Sequence, residues 1–116
     1  LIIHTKNDIT FTRELMKAMR PNIDACLATD DAMAVGVIKY ALDRGISIPD
    51  DLSVIGYNNS ALAVASTPEL TSIDNRLEKN CQDTLSRLFS VLSGATSVPR
   101  KTSVACKVAE RETTAF

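Results

Sequence analysis

The chain has 116 residues, 45% of them apolar and 23% charged, and a formal charge of −1 at pH 7. This length and composition predict an ordinary globular domain with its own core and give no indication of a nucleic-acid or membrane surface. No apolar run approaches the roughly 18 residues of a membrane-spanning helix. Three widely spaced cysteines favour reduced, buried thiols in a reducing compartment, and a single histidine argues against a metal site.

Hydrophobic periodicity predicts alternating strands and helices along the chain. The predicted strands are residues 1–5, 23–28, 52–57, 70–73 and 101–112, the last of them an edge strand with one solvent-facing side. The predicted helices are residues 10–19, 32–44 and 76–93, with a further short helix or turn at residues 61–66. We therefore expect an α/β fold with a parallel sheet flanked by helices.

Two of the predicted helices have clear apolar faces. The helix at 10–19 is expected to bury a stripe made of Phe11, Leu15, Ala18 and Met19. The helix at 76–93 has the clearest amphipathic pattern, with an apolar face made of Leu77, Cys81, Leu85, Leu88, Phe89 and Leu92.

The stretch from residue 25 to residue 60 predicts a strand, a helix, a tight loop and a second strand. A crossover helix between parallel strands brings the carboxyl ends of both strands to the same edge of the sheet, where small ligands bind in open α/β sheets. We therefore expect one crevice to be lined by the polar residues that follow the two strands, namely Asp30, Asp31, Asn58 and Asn59.

The same pattern recurs at four strand ends. The polar pairs are Asn7-Asp8, Asp30-Asp31, Asn58-Asn59 and Asp74-Asn75. Carboxylate and amide groups at such positions suit a ligand rich in hydroxyl groups. The alternative interpretation is that Asp and Asn simply favour turns and helix N-caps.

Several segments resemble the lactose-repressor (LacI/GalR) family of bacterial transcription regulators. They are ATDDAMAVG at 28–36, GISIPDDLSVIGYNNS at 45–60, TPELTSIDN at 67–75 and ERETT at 110–114. The resemblance covers essentially the whole chain, and the IPDD block running into VIGY is its most specific part.

The resemblance implies part of a two-lobed effector-binding domain like that of periplasmic sugar-binding proteins. Residues 1–70 and 98–116 would form the C-terminal lobe, and residues 74–95 would cross to the N-terminal lobe and supply one of its helices. The abrupt start in a strand-like run, without an initiating Met, predicts a fragment of a longer protein. The resemblance implies that this fragment lacks the DNA-binding part and does not bind DNA by itself. The resemblance also implies a cytoplasmic homodimer, with the helix carrying Val35 and residues 61–66 near the dimer interface. The alternative interpretation of these two segments is that they form ordinary core of the lobe.

The resemblance also implies the ligand contacts. They would be Asp30, Asn58 and Asn75, with Asp8 in the loop at 7–9 as a weaker candidate. The family commonly has Asn-Asp at positions 30 and 31, Asp at position 58, and Asp-Gln-Pro at 74–76. The carboxylate has therefore moved from position 58 to position 30, or the ligand differs. A small sugar-like or nucleobase effector is expected, with no cofactor.

Two alternatives remain at this point. A periplasmic sugar-binding protein of an uptake system would have the same fold, although the cysteines and the IPDD block argue against it. An enzyme or phosphoacceptor is not indicated: a receiver-like acidic pair at 30–31 would need a phosphoacceptor Asp where the chain has Asn58, and there is no Gly-x-Ser-x-Gly motif. We predict no catalytic residues.

Overall fold

The computed structural model describes residues 1–115; Phe116, the last residue of the predicted C-terminal-lobe segment, lies outside the described residues. The helices are α1 (Ile9–Met19), α2 (Asp31–Arg44), α3 (Ala61–Ala65) and α4 (Leu77–Leu92). The strands are β1 (Ala25–Leu27), β2 (Ser53–Tyr57), β3 (Thr71–Asp74) and β4 (Lys107–Ala109). All four helices and the first three strands end within two residues of their predicted bounds.

The strands form one sheet in the order β1-β2-β3-β4. β1 and β2 are parallel, as are β2 and β3, because a helix between the members of each pair returns the chain to the same edge. β4 pairs antiparallel with β3, with Val108 opposite Ile73. This mostly parallel sheet with its helices confirms the predicted fold class.

α2 supplies half of the buried apolar residues of the core and lies against β2. Asp30 caps its N-terminus by accepting a hydrogen bond of 2.8 Å from the backbone N–H of Ala32. Gly45 ends the helix in the left-handed conformation, with φ 68°. Both ends are those that the sequence predicts. The buried apolar residues of the helix are Ala34, Val35, Val37, Ile38, Tyr40 and Ala41.

α1 packs on α2 through Thr12 and Met16, which are buried, while Phe11 and Met19 are 41% and 46% exposed. The predicted apolar stripe of Phe11, Leu15, Ala18 and Met19 is therefore wrong as a buried face. The reason is a close approach at Gly36 of α2. A Cβ atom there would lie 2.8 Å from Thr12 Cβ and from Ile9 O, so the missing side chain brings the Thr12 face of α1 inward.

A charged cluster joins α1 and α2 at the surface. We call it the Asp43 cluster. Arg13 donates two hydrogen bonds of 2.6 Å to the Asp43 carboxylate, and Lys17 Nζ lies 3.0 Å from Asp43 Oδ2. The hydrogen bond from Arg13, and after it the one from Lys17, hold the pKa of Asp43 well below its ordinary value of 3.8. The same hydrogen bonds raise the pKa values of Arg13 and Lys17.

Residues 1–5 do not form the predicted strand. Leu1 and Ile2 are 87% and 84% exposed, and the segment pairs with no strand among residues 1–115. A short apolar run becomes a strand only beside a partner, and β1 pairs here with β2 alone. Leu1 and Ile2 instead line a cavity of about 390 Å³ with Cys26 and Leu27 of β1.

The predicted edge strand at 101–112 shortens to Lys107–Ala109, and Thr113, which follows it, forms hydrogen bonds with the starts of β2 and β3. Val54 N–H donates to Thr113 O (2.9 Å), and Thr113 Oγ1 donates to Val54 O (2.6 Å). Thr113 Oγ1 also accepts from Thr71 N–H at 2.9 Å. The side chain of Thr113 is fully buried, so this segment is a fixed part of the sheet edge.

α4 begins and ends within one residue of the predicted bounds, but none of its residues is buried. Its apolar face remains open to solvent, with Leu77 and Phe89 both 65% exposed and Leu92 72% exposed. The radius of gyration is 17.9 Å, whereas a compact domain of this length has about 13 Å. α4 therefore projects from the rest of the molecule.

The cysteines differ from the prediction. Cys26 is partly buried, and burial raises the pKa of its thiol, but Cys81 and Cys106 are exposed. Cys81 lies on the exposed apolar face of α4, and Cys106 lies just before the short strand β4. All three are free thiols. Only Cys26 fits the predicted buried position, because the other two are exposed.

Candidate functional site

Three of the four residues predicted to contact a ligand are joined by hydrogen bonds at the carboxyl edge of the sheet. Asp30 is the N-cap of α2 just beyond β1, and Asn58 and Asn75 follow directly after β2 and β3. Asn58 Nδ2 donates to Asp30 Oδ2 at 2.8 Å. Asn75 Nδ2 donates to Asn58 Oδ1 at 2.9 Å. The order β1-β2-β3 of parallel strands thus brings the three side chains into one row.

The carboxylate of Asp30 fixes the orientation of both amides. An ionised carboxylate only accepts hydrogen bonds, so Asn58 must turn its NH₂ group toward Asp30 and its oxygen toward Asn75. Asp30 Oδ1 is already occupied by the N–H of Ala32. The row therefore has a defined direction, from the Asn75 donor to the Asp30 acceptor.

The row keeps free hydrogen-bonding capacity on an accessible surface. Asn58 is exposed, and Asp30 and Asn75 are half-buried. Each amide NH₂ in the row has a second N–H, and the carboxylate oxygens have further lone pairs. Asn75 Oδ1 is buried and has no hydrogen-bond partner within residues 1–115. Alternating donors and acceptors of this kind match hydroxyl groups, which both donate and accept.

Asp8, the fourth predicted contact, does not belong to this hydrogen-bonded row. It caps α1 by accepting a hydrogen bond of 2.6 Å from Phe11 N–H. Within the part of the chain that the structure describes, no hydrogen bond joins it to Asp30, Asn58 or Asn75. Its role as a ligand contact stays a prediction.

Asp31 does not face the crevice, so its predicted place beside Asp30 is wrong. It is 1% exposed. Its Oδ1 accepts from Ser72 Oγ and its Oδ2 from Ser60 N–H, both at 2.6 Å. Successive residues at a helix start point in different directions, and Gly56 of β2 leaves the space that Asp31 enters, since a Cβ at position 56 would overlap Asp31 Oδ1. Asp31 thus ties α2 to β3 and to the loop after β2.

The turn at Asn58 and Asn59 determines where the Asn58 side chain lies. Both residues have positive φ, 102° and 49°, a region in which Asn is more common than most other residues. Asn58 N–H donates to Ile73 O at 2.9 Å, and Asn59 N–H donates to Ser72 Oγ at 3.0 Å. Asn59, also predicted to face the crevice, instead directs its side chain to Arg111 (2.6 Å).

Arg111 was not found by sequence reasoning. A single arginine between Glu110 and Glu112 has the pattern of an exposed charged segment. The feature of the sequence that could have indicated Arg111 is the pair Thr113 and Thr114 close after it. Small hydroxyl residues can pack at a sheet edge and would bring Arg111 with them. In the structure the Arg111 side chain is only 16% exposed.

No three His, Cys, Asp or Glu side chains within residues 1–115 are grouped as metal ligands would be. Among the helices of the described chain, none combines the length and apolarity needed to cross a membrane.

Residues 4–114 match the family described as the periplasmic binding protein-like domain. A curated HTH-type transcriptional regulator from Lachnoclostridium phytofermentans is 42% identical over 113 residues. Those residues are 95% of this chain but 34% of the relative, so the chain spans about a third of that relative's length.

Solved structures give the same result. The Escherichia coli transcriptional repressor AscG superposes with a TM-score of 0.85 at 28% identity, covering 97% of this chain and 41% of AscG. A LacI family regulator from Arthrobacter sp. FB24, solved in complex with lactose, has a TM-score of 0.84 at 27% identity and covers 96% of this chain and 43% of that one.

These relatives are transcription regulators, which confirms both the family resemblance and the prediction of a non-enzymatic chain. The chain therefore belongs to the periplasmic-binding-protein-like domain family, in the form carried by LacI-type transcription regulators.

Proposed function

We propose that this chain is the effector-sensing part of a LacI-type transcription regulator and binds a small sugar-like or nucleobase ligand through Asp30, Asn58 and Asn75. The observation that carries the proposal is the hydrogen-bonded row of these three side chains at the carboxyl edge of parallel strands. Its alternating donors and acceptors favour a ligand rich in hydroxyl groups. The lactose complex of the Arthrobacter regulator supports a sugar among the candidate effectors.

The ligand would bind in a cleft between two lobes. In this proposal residues 1–70 and 98–116 form the C-terminal lobe, and residues 74–95 belong to the N-terminal lobe. The exposure of the whole apolar face of α4 supports this division, because the rest of the N-terminal lobe would cover that face. Asn75 lies where the chain leaves β3 for α4, so a ligand bound there contacts the crossover itself.

Effector binding would control DNA binding by a helix-turn-helix segment such as the HTH-type relatives have. A ligand that contacts both lobes favours the closed arrangement, and a homodimer transmits the change to the DNA-binding segments. A coupling free energy of about 1–3 kcal/mol is enough for a typical switch. The protein would be cytoplasmic. An uptake protein of the same fold is disfavoured because the relatives are regulators.

A shallow apolar groove supports the proposed homodimer. It lies between α1, α2 and α3 and includes Val35, Leu42 and Leu62. Leu42 is 58% exposed and Leu62 38% exposed. Burying such side chains against a second copy would remove apolar surface from water.

The test is a thermal-shift screen of the intact protein that carries this domain, with disaccharides, pentoses, sugar phosphates and nucleobases as ligands. A ligand at about 100 times its Kd stabilises the protein by about 2.7 kcal/mol. We expect one ligand class to raise the Tm, and Asp30→Ala and Asn58→Gly to abolish the increase. Glycine is used at position 58 because it accepts φ 102° without strain.

Asn22→Ala and Asp50→Ala are the matched controls. Both residues are exposed and lie in loops that precede β1 and β2, away from the carboxyl edge. They should keep the full ligand-induced increase in Tm, measured from each variant's own baseline. A ligand that binds equally well to the Asp30 and Asn58 variants would place the site elsewhere and refute the residue assignment.

A further inference from the structure

Beyond the three proposed contacts, the C-terminal segment reaches the turn that carries one of them. We infer that Arg111 is a positioning residue for the candidate ligand site, holding the turn at Asn58 and Asn59 in the conformation that presents the Asn58 amide. This inference rests on the proposed function and deepens it, because it names a residue outside the row that would set ligand affinity.

The turn needs an external support. Two consecutive non-glycine residues with φ values of 102° and 49° lie in a sparsely populated part of conformational space, and such residues persist only where their surroundings hold them. From this backbone position the amide of Asn58 meets both Asp30 and Asn75. A relaxed turn would break the row without unfolding the sheet.

Arg111 provides a geometrically specific contact to the turn. One guanidinium nitrogen, Nη2, donates to Asn59 Oδ1 at 2.6 Å, and the other, Nη1, donates to Leu70 O at 2.7 Å. The two hydrogen bonds use the planar fork of the guanidinium and connect the turn after β2 to the start of β3. The ion pair of Arg111 with Glu69 is longer, at 3.9 Å, and contributes less to the orientation.

Arg111 itself is well anchored. Its backbone N–H donates to Thr71 Oγ1 at 2.8 Å. Two residues further on, Thr113 forms backbone and side-chain hydrogen bonds with Val54. The guanidinium therefore acts from a fixed position, as a positioning group must.

The backbone of Asn59 has a second support, which does not involve Arg111. Its N–H donates to Ser72 Oγ at 3.0 Å, and Ser72 Oγ donates to the buried Asp31 at 2.6 Å. The side chain of Asn59 depends on Arg111 for its observed hydrogen bond. Removing Arg111 should thus free the turn on one side and leave the fold in place.

The experiment uses the intact protein and separates positioning from stability. Arg111→Met removes both guanidinium hydrogen bonds. Asn59→Gly removes the acceptor but accepts positive φ, while Asn59→Asp keeps both the acceptor and the tolerance of positive φ. Glu69→Gln is the control for the ion pair. Each variant is measured by calorimetric titration with lactose and by the side-chain NH₂ signals of Asn58 and Asn75 after selective ¹⁵N-asparagine labelling.

We expect Arg111→Met and Asn59→Gly each to shift the NH₂ signals of Asn58 and to weaken lactose binding about tenfold, the effect of one lost charged hydrogen bond. The double variant should be no worse than either single variant, and Asn59→Asp and Glu69→Gln should resemble the wild type. If Arg111→Met does not fold, Asn59→Gly and Asn59→Asp alone test whether the contact between Arg111 and Asn59 positions Asn58.

Unchanged Asn58 signals in Asn59→Gly and Arg111→Met, with only a lower Tm, would overturn the inference and leave Arg111 with a purely structural role. If lactose fails to bind the wild type, lactose is not its effector, and the proposed function then depends on the wider ligand screen. The NH₂ signals, which need no ligand, still decide the positioning role of Arg111.

Discussion

A single ionised group organises the hydrogen bonds of the candidate site. Asp30 accepts from Ala32 N–H with one oxygen and from Asn58 with the other. The first bond caps α2, and the second orients Asn58 and, through it, Asn75. In the proposed site the side chain that caps α2 would also present the ligand contacts, so a substitution at position 30 should affect stability and binding together.

Exchanging the two residue types tests this directly. In Asn58→Asp, two carboxylates would lie within hydrogen-bond distance and repel, and we expect a loss of about 1 kcal/mol in unfolding free energy. In the double variant Asp30→Asn and Asn58→Asp, the amide oxygen at position 30 can still accept from Ala32, and its NH₂ can donate to the carboxylate introduced at position 58, so the stability should largely return. Urea unfolding of the wild type, both single variants and the double variant measures the coupling.

Asn22→Asp, an exposed substitution outside the row, controls for the added charge. Additive effects of the two exchanges, with no recovery in the double variant, would show that Asp30 and Asn58 do not act as a pair.

The βαβ rule places Asp30 and Asn58 at one edge of the sheet without knowledge of packing. The family resemblance selects these two residues and Asn75 as ligand contacts. Asp31 was misplaced because its direction depends on the space left by Gly56, a contact between distant elements. Arg111 was missed for a similar reason: its partner Asn59 is 52 positions away along the chain.

At the scale of elements, the packing of α1 on α2 has two parts: a buried contact at Gly36 and the Asp43 cluster at the surface. The apolar pattern of α1 did not reveal its buried face, because a missing side chain on α2 selects the Thr12 side. The run at residues 1–5 has the composition of a strand, but composition cannot supply the neighbouring strand that it would need.

Asp43→Asn should reveal the pH dependence of the surface contact. The carboxylate has a lowered pKa in the folded chain, so its stabilising contribution is complete above the ordinary value of 3.8 and is lost as the pH falls through the lower folded-state value. We expect the wild type to be more stable than the variant at pH 7, by an amount that stays constant down to about pH 5 and shrinks below about pH 4. Denaturant unfolding of both proteins over this pH range measures the stability difference. Repeating it at about 1 M salt screens the charges of the Asp43 cluster.

Asp50→Asn removes an exposed carboxylate outside the cluster and controls for the loss of one negative charge. Arg13→Gln in the Asp43→Asn background should add little further loss, because the bidentate partner is already gone. A stability difference that persists unchanged at pH 2 would contradict the assigned role of the carboxylate.

At the scale of the whole molecule, α4 is the element whose stability is least accounted for within residues 1–115. It has 16 residues, none of them buried. An isolated helix of about this length is marginal in water. Its sequence nevertheless has a continuous apolar face, which fits a helix that is stabilised by packing against another part of a longer protein, as the proposed two-lobed arrangement requires.

Hydrogen exchange of the 116-residue chain alone, followed by mass spectrometry at about 1 µM protein, tests this idea. We expect amides of α4 to exchange close to the unstructured rate, because the helix opens without disturbing the core, while amides of α2 exchange only through larger openings. In the intact protein α4 should become protected, since the rest of the N-terminal lobe would cover Leu88 and Phe89. Protection of α4 in the isolated chain that rises with protein concentration would indicate self-association through the same face, and Leu88→Gln with Phe89→Gln should remove it. Strong protection of α4 at all concentrations, equal to that of α2, would instead contradict its assignment to a separate lobe.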